Sequence, residues 1–303
     1  TMKSNLIRRR LGTLAACAGL AYSAVTPAAP ATYPNADAAA TALVDAVQKD
    51  DQAALSKVLG ADWKTFIPTE DIDREDVDAF LDSYKESHKL VGDDTTQHLE
   101  VGKTGWTLPM PIVKGAGGWM FDLKGARAEM RTRNIGNNEL EAQQAVLAFY
   151  DAEREYAEAD RNGDDIHEYA QKFVSTPGTQ DGLYWEAKEG DGQSPLGPRF
   201  VDGAAPKGNG AGYHGYHYRI LTTQGPSAPG GAYNYIVGGR MRSGFAAIAW
   251  PVRYGETGVM SFMVSHDGIV FEKDLGANTA TAAAAMKMFD PDDSWHQDDE
   301  LKK

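Results

Sequence analysis

The sequence predicts an α+β protein built as two modules. Three observations carry that reading. Each half opens with helical periodicity, each half closes with short apolar runs of strand character, and 303 residues suit two domains at about 100–200 residues each.

In residues 35–60, Ala38, Ala42, Leu43, Ala46, Val47, Leu55 and Val58 recur at three- and four-residue steps. Asp45 and Asp50 fall outside that stripe, so one helix is expected there. A second is expected from Asp73 to Leu90, with Val77, Phe80, Leu81 and Tyr84 on one side. Strand-like runs follow at Leu99–Val101, Trp106–Val113 and Gly118–Asp122, punctuated by Gly102, Pro109, Pro111 and the glycines of 115–118. Residues 32–123 therefore form a helix-plus-sheet module.

The C-terminal module, 124–303, opens on a helix with Asn137-Asn138-Glu139 as its capping start. Ala142, Ala145, Val146, Phe149, Ala152 and Tyr156 form its stripe up to Asp160. Residues 174–215, rich in Gly, Pro and Asp, predict a long irregular excursion anchored by Tyr184, Trp185 and Phe200. Then the period becomes two. His217–Thr223, Tyr233–Val237, Phe245–Trp250, Val259–Val264 and Ile269–Lys273 read as strands, with His266-Asp267-Gly268 as the last hairpin turn. A short helix over Ala277–Met288 and a loose tail from Asp290 complete the chain.

Composition narrows the function classes. The chain is 42% hydrophobic and 24% charged, ordinary for a folded protein. With 30 basic and 43 acidic residues its net charge is −13, which opposes a nucleic acid as main partner. One cysteine and seven histidines leave little room for disulfides, a zinc ribbon or an iron–sulfur cluster.

Residues 1–31 read as a secretory signal peptide. Lys3 and Arg8–Arg10 precede an apolar stretch, and Ala28-Ala29-Pro30-Ala31 supplies small residues for cleavage. Loss of this segment removes four basic residues and no acid, so the net charge moves from −13 to −17. Leu14-Ala15-Ala16-Cys17 would pass as a lipobox, but Cys17 lies early in the apolar run and reads better as part of it. The expected location is periplasmic or secreted, with no transmembrane span in the mature chain.

Several strings are distinctive. They are Phe173 to Gly178 (FVSTPG), Asp181 to Trp185 (DGLYW), Ser194 to Pro198 (SPLGP) and Tyr213 to Tyr216 (YHGY). Gly225 to Ala232 (GPSAPGGA), Ala249 to Pro251 (AWP) and Tyr254-Gly255 join them. Together they resemble a bacterial family of exported proteins, the domain of unknown function 2950, from about residue 33 to Trp295. The resemblance implies an envelope or secreted location and brings no catalytic residues. Residues 35–123 are also similar to cystatin-like, nuclear-transport-factor-like folds. The C-terminal order of long helix, Asp/Gly loop and antiparallel sheet is similar to the heads of type IV pilins. A pilin's apolar helix would open the mature chain, whereas this one lies in the middle.

Two clusters are candidate sites. Asp160, Asn162 and Asp164 stand at positions 1, 3 and 5 of an acidic loop, with Glu168 at position 9. Such oxygen donors suit a structural Ca²⁺, although Asp165 replaces the turn glycine and Gln171 the closing glutamate of an EF-hand. A solvated acidic turn is the plainer reading. His214, Tyr216 and Tyr218 would share one side of a strand, and His214 with Tyr216 would line a ligand pocket. Aromatic packing with a satisfied histidine is the plainer reading there.

Among the tryptophans, Trp106, Trp119 and Trp250 are expected in the core. Trp185, beside Tyr184 and Asp181, is the expected exposed ring and with Tyr184 a ligand-binding candidate, anchoring of the long loop being the plainer reading. No HExxH, GxSxG or mature-chain cysteine marks an active site. The expected function is a non-catalytic binding or assembly component of the envelope, its ligand or protein partner unknown. A hydrolase of envelope polymers using His214 and Asp181, and a pilin-like filament subunit, are the alternatives.

Overall fold

Two aspartates and an asparagine decide how the chain begins to fold. The computed structural model describes residues 29–67, 69, 72–187, 192–204 and 212–297. The expected signal segment, with Cys17, lies outside the described residues up to position 28. The chain divides into two compact units, with the boundary after Leu123.

In the first unit, Asn35 accepts the Ala38 N–H and starts α1 (Ala36–Gln48). The expected single helix over 35–60 is in fact two. Asp50 takes a φ of 49° and turns the chain, and Asp51 accepts the Ala53 and Ala54 N–H groups to start α2 (Gln52–Leu59). Capping satisfies donors that a helix start leaves open, so Asp51 makes a new start cheaper than continuing. A reciprocal Asp73–Asp76 cap opens α3 (Arg74–Glu86). This helix stops short of Leu90, because Ser87 is extended and the next residues pair as β1 (His88–Gly92).

β2 (Thr96–Val101), β3 (Trp106–Thr107), β4 (Ile112–Gly115) and β5 (Gly118–Phe121) complete an antiparallel sheet. Its order is β1-β2-β4-β5, and β3 pairs with β2 alone. Leu43, Val58 and Leu59 of the helices and Leu99, Ile112 and Phe121 of the strands are buried in this unit. Burying one face of helix and sheet together is what holds such a layer pair.

The second unit is organised by α4 (Leu123–Tyr156), 34 residues long. The sequence places its start at Asn137, but the helix begins at Leu123 and ends before Asp160. Asn138 and Glu139 are therefore interior, and they do a different job. Asn138 Nδ2 donates to Thr257 O at 2.9 Å, and Glu139 Oε1 accepts the Val259 and Met260 N–H groups at 2.8 and 3.0 Å. The excursion over 174–215 is less irregular than expected, since it contains α5 (Pro198–Ala204).

The strands that follow are β6 (Tyr216–Leu221), β7 (Thr223–Gln224), β8 (Tyr233–Asn234), β9 (Ile236–Val237), β10 (Arg240–Met241) and β11 (Ala246–Pro251). After them come β12 (Met260–Ser265), β13 (Val270–Asp274), α6 (Thr279–Ala285) and β14 (His296–Gln297). The main sheet runs β14-β13-β12-β11-β6, all antiparallel, while β7–β8 and β9–β10 are separate ribbons. The single strand expected over Tyr233–Val237 breaks at Tyr235. That residue's N–H donates to Thr222 O, and its carbonyl accepts the Arg242 and Ser243 N–H groups.

The tail is not loose from Asp290 to Gln297, the last described residue. β14 pairs with β13, Trp295 is buried, and the Asp290 carboxylate accepts the Ser227 N–H at 2.8 Å. The core of this unit joins α4 to the sheet through Phe149, Phe245, Phe262 and Val264. Gly258 is required at one close approach, because any Cβ there would overlap the buried Tyr216 hydroxyl. The architecture is α+β, as the sequence predicts.

Candidate functional site

The acidic loop begins where α4 ends. Asp160 turns both carboxylate oxygens onto its own loop: Oδ1 accepts the Asn162 and Gly163 N–H groups, and Oδ2 accepts that of Asp165 at 2.7 Å. The Asp165 N–H leads these bonds in holding the Asp160 carboxyl below the usual carboxylate range. Asn162 Nδ2 donates to Glu168 Oε1 at 3.0 Å. Arg240, from β10, ion-pairs with Asp164 and lies 3.8 Å from Glu168.

The four expected ligands are thus brought together in pairs, with a guanidinium between two of them. Among the described residues no group of three or more His, Cys, Asp or Glu side chains converges as metal ligands would. Arg240 was invisible to local reading, being far along the chain. The only sequence trace of it is that four nearby acidic residues call for a counter-charge.

Arg161 closes the same region from the other side. Its guanidinium lies over the Tyr156 ring at 5.5 Å and the Trp185 ring at 5.3 Å. Trp185, expected to be exposed, is only 5% exposed, and its Nε1 donates to Gly192 O at 3.4 Å. Its physical role is to anchor the excursion. Tyr184 is half-buried and bridges to Val174.

His214 does not sit in the strand. It occupies a turn with φ 49°, closed by reciprocal backbone bonds between Tyr213 and Tyr216. Strand alternation still governs β6 itself. Tyr216 and Tyr218 point inward and are buried, while Arg219 points the other way and donates to Ala283, Ala284 and Met286 carbonyls near the end of α6. Tyr216 Oη donates to Met260 O at 2.8 Å, and burial pushes its pKa far up, so the phenol keeps its proton. A pocket shared by His214 and Tyr216 is not formed, because one ring is on the surface and the other is core.

Nor are His214 and Asp181 joined. His214 Nε2 lies 3.8 Å from Glu141 Oε2. Asp181 holds its own turn, accepting from Thr176 N, Thr176 Oγ1 and Thr179 Oγ1 and ion-pairing with Lys172. Burial pushes that carboxyl up, and the Lys172 ammonium with the threonine donors overrides it, holding it far below the usual range.

A further polar network lies beside the Gly225–Ala232 string. Gln224, buried, accepts from the Tyr235 hydroxyl at 2.9 Å and donates to Pro229 O and Gly231 O at 2.6 and 2.7 Å. Tyr233 Oη stands 3.2 Å from His266 Nε2. Sequence reading singled out the string and the His266 turn, but not Gln224, whose role is set by loops it touches only in the fold.

The first unit carries two open surfaces. A groove of about 190 Å³ runs between α1 and α3, with Val44, Leu81 and Tyr84 as apolar lining and Asp45 and Lys85 as its charges. Trp106, expected in the core, is 45% exposed. β3 lies at the margin of the sheet, paired with β2, and the ring there is only partly covered. Phe80 meets the indole edge-on, with centroids 6.5 Å apart and planes at 68°.

No described helix is long and apolar enough to cross a membrane. Neither a curated protein nor a solved structure matches this chain. One family does match, described as a protein of unknown function (DUF2950), over residues 31–297. Since that span takes in both units and nearly every described residue, the chain belongs to the DUF2950 family.

Proposed function

We propose that this is an exported component of the bacterial envelope, periplasmic or secreted, that binds its ligand without transforming it. The observation that carries the reading is the exposed Trp106, held by Phe80 in the same unit as the α1–α3 groove. An aromatic ring left in water suits binding, and a groove with apolar lining in the same unit adds to the available surface. In the second unit, Asp160, Asp164, Glu168 and Asp181 hold loops through named donors. That engagement favours scaffold over catalyst.

The helices before the sheet in the first unit support a cystatin-like or NTF2-like relationship. The long α4 before an antiparallel sheet supports a pilin-head-like one. Charges along α4, among them the Glu129–Arg133 ion pair, weigh against a filament stem. The test is co-sedimentation of the full chain with isolated cell-wall polymer and with envelope vesicles. The chain is expected to sediment with one of the two and release no soluble fragments. Fragment release abolished by His214→Ala would establish the hydrolase instead.

We read the acidic loop as closed by Arg240, with Ca²⁺ as the competing occupant. A ligand that binds only the folded state raises the unfolding midpoint with its concentration. Arg240→Ala is therefore expected to lower the midpoint, and the wild-type midpoint to be the same in EDTA and in millimolar Ca²⁺. A midpoint that climbs with Ca²⁺, and stops climbing in Asp160→Ala and Asp164→Ala, would return the loop to the ion.

A further inference from the structure

We infer that Trp106 is a stacking platform for an uncharged pyranose chain. The inference rests on the binding reading above and names the ligand class for its first unit. Six tryptophans lie in the described residues, and only Trp106 is exposed; Trp63, Trp185 and Trp295 are buried, and Trp119 and Trp250 half-buried. A fold that covers its other indoles leaves this one open.

The ring is also backed from its own unit. Phe80 packs edge-on against it. The turn from β2 to β3 is pinned to the end of α3, where the Gly102 N–H donates to Ser83 O and Ser87 O at 3.1 and 2.8 Å. Lys103 of the same turn ion-pairs with Glu86 of α3. Beside Gly105, with φ 79°, there is open space within 4 Å where a Cβ would stand. A ligand meeting this surface finds a ring already in place, which lowers the ordering cost of binding.

The surroundings select the ligand. A pyranose has an apolar face of axial C–H groups, which suits an indole, and a rim of hydroxyls that both donate and accept. The rim here is Lys103, in the turn that leads into β3, with its partner Glu86. Those groups offer donors and acceptors alike. The chain's net charge of −13 disfavours uronic acids, nucleic acid and anionic lipid surfaces.

Size argues against a protein partner or a second copy. A stable protein interface buries about 800 Å² on each side around several anchors. The platform is one indole and the edge of one phenyl ring, which matches a single sugar ring.

The experiment titrates the full chain with an N-acetylglucosamine hexamer, a glucose hexamer and a galacturonic acid hexamer. It follows the Trp106 indole N–H resonance and tryptophan fluorescence. Saturable binding to at least one uncharged hexamer is expected, with the Trp106 resonance moving and the uronic hexamer weaker. Trp106→Ala is expected to weaken that binding by about tenfold or more and Trp106→Phe by less. The resonance reads the platform in the wild-type chain, so the result does not depend on how the alanine variant folds.

No movement of the Trp106 resonance with either uncharged hexamer overturns the platform, as does equal affinity for the uronic chain. If the chain still sediments with cell-wall polymer in that case, the binding reading stands and only the ligand class falls. Preference between the two uncharged hexamers separates a cell-wall glycan from another extracellular polysaccharide.

Discussion

Phe245→Ala is expected to destabilise the second unit by about 3–5 kcal/mol, the range for removing a large buried ring. Phe245 is buried where several rings meet. Its centroid lies 4.8 Å from Tyr169, 5.7 Å from Phe149 and 5.9 Å from Tyr150, with His266 at 6.3 Å. These rings come from α4, from the segment after the acidic loop and from the β12–β13 turn. Alanine would leave a cavity that none of the three can fill alone, since each is tied elsewhere. Tyr169, for example, is held by its N–H to Met241 O at 2.7 Å. Denaturant unfolding checks the prediction through the midpoint at constant slope. A loss below about 1 kcal/mol would mean that the site collapses freely and is no hub.

A second large effect is expected at Glu153, as a change in pH dependence. Glu153 is fully buried in α4. Oε2 accepts the Ala170 N–H at 2.8 Å, and Oε1 has no hydrogen-bond partner among the described residues. Burial pushes its carboxyl well above the usual range, and the Ala170 bond pulling the other way does not offset this. The folded protein therefore keeps a proton that the unfolded chain releases near its ordinary value of about 4.3. Stability from this group is whole below that value. It is lost as pH rises from there towards the raised folded value, by up to about 1.4 kcal/mol for each pH unit.

Glutamine cannot ionise and still offers Ala170 an acceptor. Glu153→Gln should match the wild type near pH 4 and become progressively more stable than it towards pH 8. Thermal midpoints measured across that range decide the matter. A variant that loses ground to the wild type as pH rises would show that the ionised carboxylate is the stabilising form.

The two sites differ in how far the sequence announces them. Phe149 appears in the helical stripe and Phe245 in a strand run, so both are legible as core. Glu153 stands four residues after Phe149 and three before Tyr156, so its spacing puts it on that stripe, but a carboxylate is not a residue that periodicity assigns to a core. Its environment is made by Ala170, which the chain brings back only after the acidic loop. The same holds for that loop. Its Asp and Asn spacing is visible, but the guanidinium of Arg240 arrives from a ribbon strand folded against it.

Trp106 and Trp185 exchange their expected places for a comparable reason. Local polarity suggests that a ring in a Gly-rich stretch is exposed and one in an apolar run is buried. What decides exposure is whether another layer lies over the ring. Trp185 is covered by Arg161 and the second core, while Trp106, at the sheet margin, meets Phe80 edge-on and stays 45% exposed.

The sequence by itself determined the α+β class, the family, the alternation of faces along β6 and the turn at His266-Asp267-Gly268. These depend on interactions within a few residues: side-chain period, backbone dihedral preference and family strings. Only the tertiary structure decided that Asn138 and Glu139 bind residues 257–260 instead of capping a helix. It also decided that Arg240 faces Asp164 and Glu168, and that the exposed indole is Trp106. Each of these rests on pairings between segments far apart in the chain, whose energies depend on what finally lies opposite, and no local pattern carries that information.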